Sequence, residues 1–128
     1  MTRQGSGDAD PSSAAMTVLI VDDNPDVRRV IRHVIGDLAS EIHECANGAE
    51  GLFLFGNHRP DWVLMDIEMP GGDGLDVTRI ITAYWPRMRI CVVSSHDDAE
   101  LREAAFRAGA REYVVKDDLL ALRTILRP

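Results

Sequence analysis

Trp62-Val-Leu-Met-Asp66, followed by Ile67-Glu-Met-Pro-Gly-Gly-Asp-Gly74, decides how the rest of the chain reads. Trp62 to Met65 is an apolar run too short for a helix, and it reads as a strand buried on both faces. The run stops at Asp66, and a loop dense in Pro and Gly cannot continue it. An acidic side chain therefore stands at the carboxyl end of a buried strand, the edge where open α/β sheets bind ligands. A polar strand terminus or turn residue would look the same in isolation, so the flanking segments must decide.

Working outward, the pattern of strand then helix repeats five times. Thr17-Val-Leu-Ile-Val21 is a β-rich run ended by Asp22-Asp23. Asn24 as N-cap and Pro25 at the first helical position open a helix whose apolar stripe is Val27, Val30, Ile31, Val34, Ile35 and Leu38. Glu41 to Cys45 is a weaker, alternating strand, and Asn47-Gly-Ala-Glu50 opens a helix to about Phe55. After the Asp66 loop, Asp73-x-x-Asp76 opens a third helix with Leu75, Ile80, Ile81 and Tyr84 as its inner face; Pro86 ends it. Met88 to Val93 is a second buried strand, stopping at Ser94. Ser95-x-x-Asp98 predicts the start of an Ala-rich helix, closed by Gly109 as an αL cap. Arg111 to Val115 is the fifth strand, ending at Lys116, and Asp117 is expected to cap a last helix carrying Leu119, Leu120, Leu122, Ile125 and Leu126.

Alternating strands and helices predict an α/β fold: a doubly wound (βα)5 parallel sheet with helices on both faces. All strand ends then meet at one edge, bringing together Asp22, Asp23, Asp66, Ser94 and Lys116. The second strand ends in Cys45-Ala46-Asn47 and adds nothing chemical, which fits the order 2-1-3-4-5 with the crevice between strands 1 and 3.

Composition bounds the function. The chain has 128 residues, one ordinary domain, and its 45% apolar share is enough for a core. A net charge of −7 argues against general binding to nucleic acid or an anionic membrane. Cys45 and Cys91 form no Cys-x-x-Cys pair and read as reduced core residues of a cytosolic protein. The histidines have no zinc spacing. Residues 1–15 lack the apolar stretch of a signal peptide and read as a flexible tail, leaving 16–128 as the domain.

Three aspartates in one crevice repel; two unit charges about 4 Å apart cost roughly 4 kcal/mol at an effective dielectric near 20. A proton or a cation must compensate, and hard oxygen ligands suit Mg²⁺ with room left for a phosphate oxygen. Lys116 can meet a second phosphate oxygen and the Ser94 hydroxyl a third. Asp66, lying between them, can then be a nucleophile toward phosphorus. Taken singly, Asp22-Asp23 reads as a helix cap, Ser94 as turn chemistry and Lys116 as a solvated side chain. Their conjunction at the strand ends carries the argument.

From Thr17 to about Leu126 the chain resembles a bacterial two-component response-regulator receiver domain, flavodoxin-like in fold. The matching motifs are Val18-Leu-Ile-Val-Asp-Asp23, Asp66-Ile-Glu-Met-Pro70 with Asp73-Gly-Leu75, Val92-Val-Ser94, and Gly109-Ala-Arg-Glu-Tyr-Val-Val-Lys116. The resemblance implies that Asp66 accepts a phosphoryl group from a sensor-kinase phosphohistidine or a phosphotransfer protein. It implies that Asp23, Asp66 and the backbone carbonyl of Glu68 bind Mg²⁺, with Asp22 acting through a water. Ser94 would be the switch hydroxyl, Lys116 the partner of the phosphoryl group and Tyr113 the switch aromatic. Spacing alone favours a simpler Tyr113: a rim residue with its ring packed and its hydroxyl wet. Glu68 and His96, two residues after Asp66 and Ser94, occupy positions that in the family influence phosphoryl lifetime.

Asp117 follows Lys116 where many receivers carry Pro, a feature similar to LuxR-type receivers. Those carry a DNA-binding domain, and the expectation here is a stand-alone, cytoplasmic receiver like the chemotaxis regulator, acting through an unidentified output protein and contacting neither nucleic acid nor membrane. The readout surface is expected near residues Asp97 to Leu126, with dimerisation on phosphorylation left open. Two other functions remain at this point. One is an aspartate-based Mg²⁺ phosphohydrolase of the haloacid dehalogenase type, which would need a second Asp where this chain has Glu68. The other is a receiver-shaped adaptor indifferent to phosphate.

Overall fold

The computed structural model describes residues 16–70 and 73–127. The tail expected over residues 1–15, and Gly71 and Gly72 of the Asp66 loop, lie outside them.

Five strands form one parallel sheet: β1 (Thr17–Val21), β2 (Glu41–Cys45), β3 (Trp62–Asp66), β4 (Arg89–Ser94) and β5 (Glu112–Val115). Their spatial order is β2-β1-β3-β4-β5, as the strand-end chemistry predicted. The direction of winding therefore reverses between β1 and β3, and the crevice lies there. Val18 of β1 pairs with Trp62 of β3, and Asp66 pairs with Val93 of β4. This register sets Asp66 level with the last residues of its neighbours.

The helices between strands are α1 (Pro25–Ile35), α2 (Gly48–His58), α3 (Gly74–Tyr84) and α4 (Ala99–Arg107). Alternate side chains of the strands feed two cores. Val18, Ile20, Leu64, Cys91, Val93 and Val114 pack with Ile31 and Ile35 of α1 and with Leu122 and Leu126 at the end of the chain. Leu19, Val21, Val63, Met65 and Ile90 pack with Phe55 of α2 and with Val77 and Ile81 of α3. Each fully buried aliphatic side chain contributes about 1.5–3 kcal/mol relative to exposure. Both cysteines are free and buried, as expected.

Caps explain most helix starts. Asn24 accepts from the N–H groups of Asp26 and Val27, with Pro25 in the first turn. Asn47 accepts from the Glu50 N–H at 2.9 Å, and the Glu50 carboxylate accepts in return from Ala46 N–H at 3.2 Å. At the far end of α4, Gly109 has φ +112°. Its N–H donates to Phe106 O, and Ala110 N–H donates to Ala105 O, closing the helix in a Schellman turn.

Four local readings change. Asp98, not Ser95, caps α4, accepting from Glu100 and Leu101 N–H. Asp73 stands at the cap position of α3 but makes no capping bond. The inner face of α3 is Val77, Thr78 and Ile81; Ile80 and Tyr84 are exposed. Asp117 caps nothing. Lys116–Ala121 is a 3-10 segment broken at Asp118 (φ −133°, ψ 54°), and only Leu122–Ile125 (α5) is α-helical.

Gly74 is where β3, its loop and α3 meet. A Cβ there would lie 2.2 Å from the carbonyl oxygen of Asp66 and 2.9 Å from Ile67 Cα. Both neighbours are backbone, so the loop must shift to admit a methyl group. Gly74→Ala is expected to lower unfolding free energy by about 1–3 kcal/mol in urea denaturation. An unchanged midpoint would mean that the loop has slack.

Candidate functional site

Each strand end delivers its side chain by a local bond. Asp22 follows β1, and its N–H donates to Cys45 O at 3.1 Å. Its Oδ1 accepts from Asn24 N–H at 2.9 Å, which turns the chain into the α1 cap. Asp66 repeats the device: its Oδ1 accepts from Glu68 N–H at 2.9 Å. In both residues the second oxygen, Oδ2, is buried; that of Asp66 accepts no hydrogen bond, and that of Asp22 faces the Lys116 ammonium. Asp23 is exposed beside them. One carboxylate oxygen from each of Asp22, Asp23 and Asp66 falls within a 4.8 Å cluster. Among the described residues no other group of acidic, His or Cys side chains has metal-ligand spacing. The donor set is all-oxygen and partly open to solvent, and it fits a hard divalent cation that keeps waters.

Lys116, at the end of β5, faces this cluster. Its Nζ lies 3.2 Å from Asp22 Oδ2, 3.5 Å from Asp66 Oδ1 and 3.8 Å from Glu68 Oε1. Burial alone would lower its pKa, but Asp22, Asp66 and Glu68 outweigh burial and raise it above the usual lysine value. Asp66 moves the other way. It is 1% exposed, and burial, reinforced by the charges of Asp22 and Glu68, pushes its carboxyl up to about 6 against the relief from Glu68 N–H and Lys116. Asp66 is thus undercompensated, the condition in which a carboxylate gains most from a cation.

Ser94 is fully buried, and its hydroxyl donates to Glu68 Oε2 at 3.0 Å and accepts from His96 N–H at 3.0 Å. Tyr113 is buried against Val92, Ala105 and Ala110. Its hydroxyl donates to His96 O at 2.7 Å and the Arg102 guanidinium lies over its ring, 4.7 Å from the centroid. The wet hydroxyl favoured by spacing is replaced by a bonded one. Every predicted site residue therefore lies at one end of the sheet, with Tyr113 connected to the rest through the Ser94–His96 loop.

Sequence reasoning missed the side chain of Glu68. The residue was singled out for its backbone carbonyl and its position, but its carboxylate is held by Ser94 Oγ, Ser95 N–H at 3.0 Å and Ser95 Oγ at 2.8 Å. His96 Nε2 lies 3.2 Å away. Although burial opposes it, these hydrogen bonds and Lys116 hold the Glu68 carboxyl below the usual glutamate range. Ser94-Ser95 facing an acid two residues past Asp66 was the available signal.

The match to known proteins now has a geometric basis. The response regulator receiver domain family matches residues 18–127. The chain belongs to that family. It is 40% identical over 98 residues to the protein-glutamate methylesterase/protein-glutamine glutaminase 3 of Hahella chejuensis, covering 74% of this chain and 28% of that protein. It is 35% identical over 115 residues to response regulator MprA of Mycobacterium sp. (strain KMS), covering 86% and 50%. The chain thus spans half or less of these curated relatives. A LuxR-family two-component response regulator from Aurantimonas sp. SI85-9A1 superimposes with a TM-score of 0.77 at 31% identity, covering 88% of this chain and 86% of that one. Residues 18–127 form a receiver domain of two-component signalling, and members of that family meet sensor kinases or phosphotransfer proteins. No described helix is long and apolar enough to cross a membrane.

The raised Asp66 carboxyl has a consequence for stability without metal. The native state binds that proton more tightly than the unfolded chain does, so the contribution of Asp66 to stability is fully present below about pH 4 and is lost as pH rises toward about 6. The total loss is about 2–3 kcal/mol, because each tenfold gain in proton affinity on folding is worth about 1.4 kcal/mol. In EDTA, urea unfolding of the receiver domain across pH 4 to 7 is expected to lose that increment, and Asp66→Asn to abolish it. Parallel pH profiles for the two proteins would show that Asp66 ionises without penalty.

Proposed function

We propose that Asp66 is the phosphoacceptor of this receiver and that the phosphoryl group comes from the phosphohistidine of a sensor kinase or a phosphotransfer protein. The observation that carries this reading is the buried, unbonded Oδ2 of Asp66 within one cluster with Asp22 and Asp23 and opposite Lys116. In the transfer, Asp66 Oδ2 attacks phosphorus and forms the new O–P bond. The P–N bond of the phosphohistidine breaks, its electron pair stays on the imidazole, and the ring takes up a proton from solvent.

Asp23, Asp66 and the backbone carbonyl of Glu68 would hold Mg²⁺ directly, and Asp22 through a water. The ion supplies positive charge to the carboxylates and to the phosphoryl oxygens. Lys116 binds a second phosphoryl oxygen as a point charge, and the Ser94 hydroxyl donates to a third. Tyr113 lies on the far side of the Ser94–His96 loop and also lines a groove of about 400 Å3 with Asp97, Arg102, Ala121 and Ile125. Its position therefore affects the outward face of α4, β5 and α5, the surface offered to an output protein.

The reading is of a cytoplasmic switch that is itself modified rather than one that turns over an external substrate. The methylesterase activity in the name of the Hahella chejuensis relative belongs to that longer protein. The Glu68 carboxylate is bonded to Ser94 and Ser95, which speaks against its serving as the general acid of a phosphohydrolase.

Intact mass after incubation with acetyl phosphate and Mg²⁺ tests the reading. One base-labile phosphoryl adduct is expected, absent from Asp66→Ala and from the Mg²⁺-free control. An adduct that survives Asp66→Ala would move the acceptor elsewhere, and none after a rapid quench would favour a phosphate-indifferent adaptor.

A further inference from the structure

The donors that the phosphoacceptor reading assigns to phosphoryl oxygens are already occupied. Ser94 Oγ, Ser95 N–H and Ser95 Oγ all donate to the Glu68 carboxylate at 2.8–3.0 Å, and Lys116 Nζ stands 3.8 Å from it. The same loop is held at its other end, where Tyr113 donates to His96 O and lies 7% exposed. Ser94 Oγ also accepts His96 N–H, so the two ends are joined through one residue.

We propose that the Glu68 carboxylate is an internal ligand of the phosphoryl-oxygen site: an anion supplied by the chain that holds Ser94 and Ser95, and through His96 holds Tyr113 inward, before any phosphoryl group arrives. The inference rests on Asp66 being the phosphoacceptor and adds what that event must do in this chain. An anion arriving on Asp66, whose Oδ1 already lies 3.5 Å from Lys116, must displace Glu68 to reach Ser94. Phosphorylation then exchanges one anion for another on the same donors.

Two consequences follow. A ligand shifts an equilibrium only by its differential contacts with the two states. Because Glu68 already makes the contacts of the inward state, an anion on Asp66 adds little to it, and Tyr113 moves little. The site is also open to an external anion only in the fraction of molecules where Glu68 has swung away, and apparent affinity falls by that fraction.

Tyrosine occurs only at positions 84 and 113, so 3-fluorotyrosine incorporation yields two ¹⁹F signals. Tyr84 is 74% exposed and serves as the solvent reference. Spectra are compared for the parent chain and Glu68→Ala in Mg²⁺, each before and after addition of beryllofluoride. In the parent, the Tyr113 signal is expected at a buried position and nearly unmoved by beryllofluoride. In Glu68→Ala it should shift toward the Tyr84 position and return when beryllofluoride is added. The beryllofluoride midpoint should be roughly tenfold lower than in the parent, the factor for a site that is open about a tenth of the time.

Identical Tyr113 signals in the two proteins before beryllofluoride would overturn the proposal. So would equal Tyr113 displacements on adding it. The first comparison needs no anion on Asp66, so it judges Glu68 even if the acetyl phosphate experiment fails. Should Glu68→Ala not fold, Glu68→Gln carries the same comparison: it keeps the shape and removes the charge facing Lys116.

Discussion

Asp22 and Asp66 are both buried side by side at the carboxyl edge of a parallel sheet, and much of the local structure compensates for that. Each commits one oxygen to a nearby backbone N–H, at Asn24 and Glu68; the other faces Lys116 in Asp22 and stays unbonded in Asp66. Lys116 is close to both, yet burial still leaves Asp66 with its carboxyl pushed up to about 6. Replacing such a cluster by apolar residues would relieve the folded state. On the phosphoacceptor proposal the arrangement is preorganisation: charge is concentrated where a cation and a phosphoryl group would be received, and the domain carries the electrostatic cost beforehand.

That compensation also explains why the site was legible in the sequence. An acidic residue ending a fully apolar run is unusual, and it recurs at Asp22 and Asp66. A buried strand has no amphipathic pattern to confuse its reading, so β1, β3 and β4 emerged within about a residue of their ends. The strand order followed from chemistry as much as from pattern: Cys45-Ala46-Asn47 had nothing to add, which placed β2 outside the crevice. The α1 and α2 caps were equally readable, because Pro25 fixes the first helical position after Asn24 and Asn47 is followed three residues later by Glu50.

What escaped were choices between equivalent local solutions. Ser95 and Asp98 can each cap a helix, and only tertiary structure decides, because Ser95 is bonded to Glu68. In α3, Ile80 and Tyr84 are apolar enough to predict burial, but Val77, Thr78 and Ile81 face the sheet. Thr78 can be buried because its hydroxyl donates to Gly74 O at 2.9 Å, removing the polar penalty that made it look external. The end of the chain is governed by Lys116. Its backbone must remain where Nζ meets the carboxylates, and the chain continues as a 3-10 segment with a break at Asp118 before α5 can form.

The displaced cap and the Glu68 contacts are two sides of one arrangement. With Asp98 capping α4, the segment from Ser95 to Asp97 is free of the duty of starting a helix. The Asp98 cap supplies that start instead, worth about 1 kcal/mol in a typical helix. Ser94 at one end of that segment touches the acidic cluster through Glu68, and His96 receives Tyr113 from the opposite side. The loop remains tethered to α4 on its outer side, where the Asp97 carboxylate accepts from the Arg102 guanidinium. A Ser95 cap would have tied the acid-facing hydroxyls to the first turn of α4. In this chain Asp98 starts the helix while Ser94 and Ser95 hold Glu68, so the first turn of α4 and the contact with the acidic cluster are set by different residues.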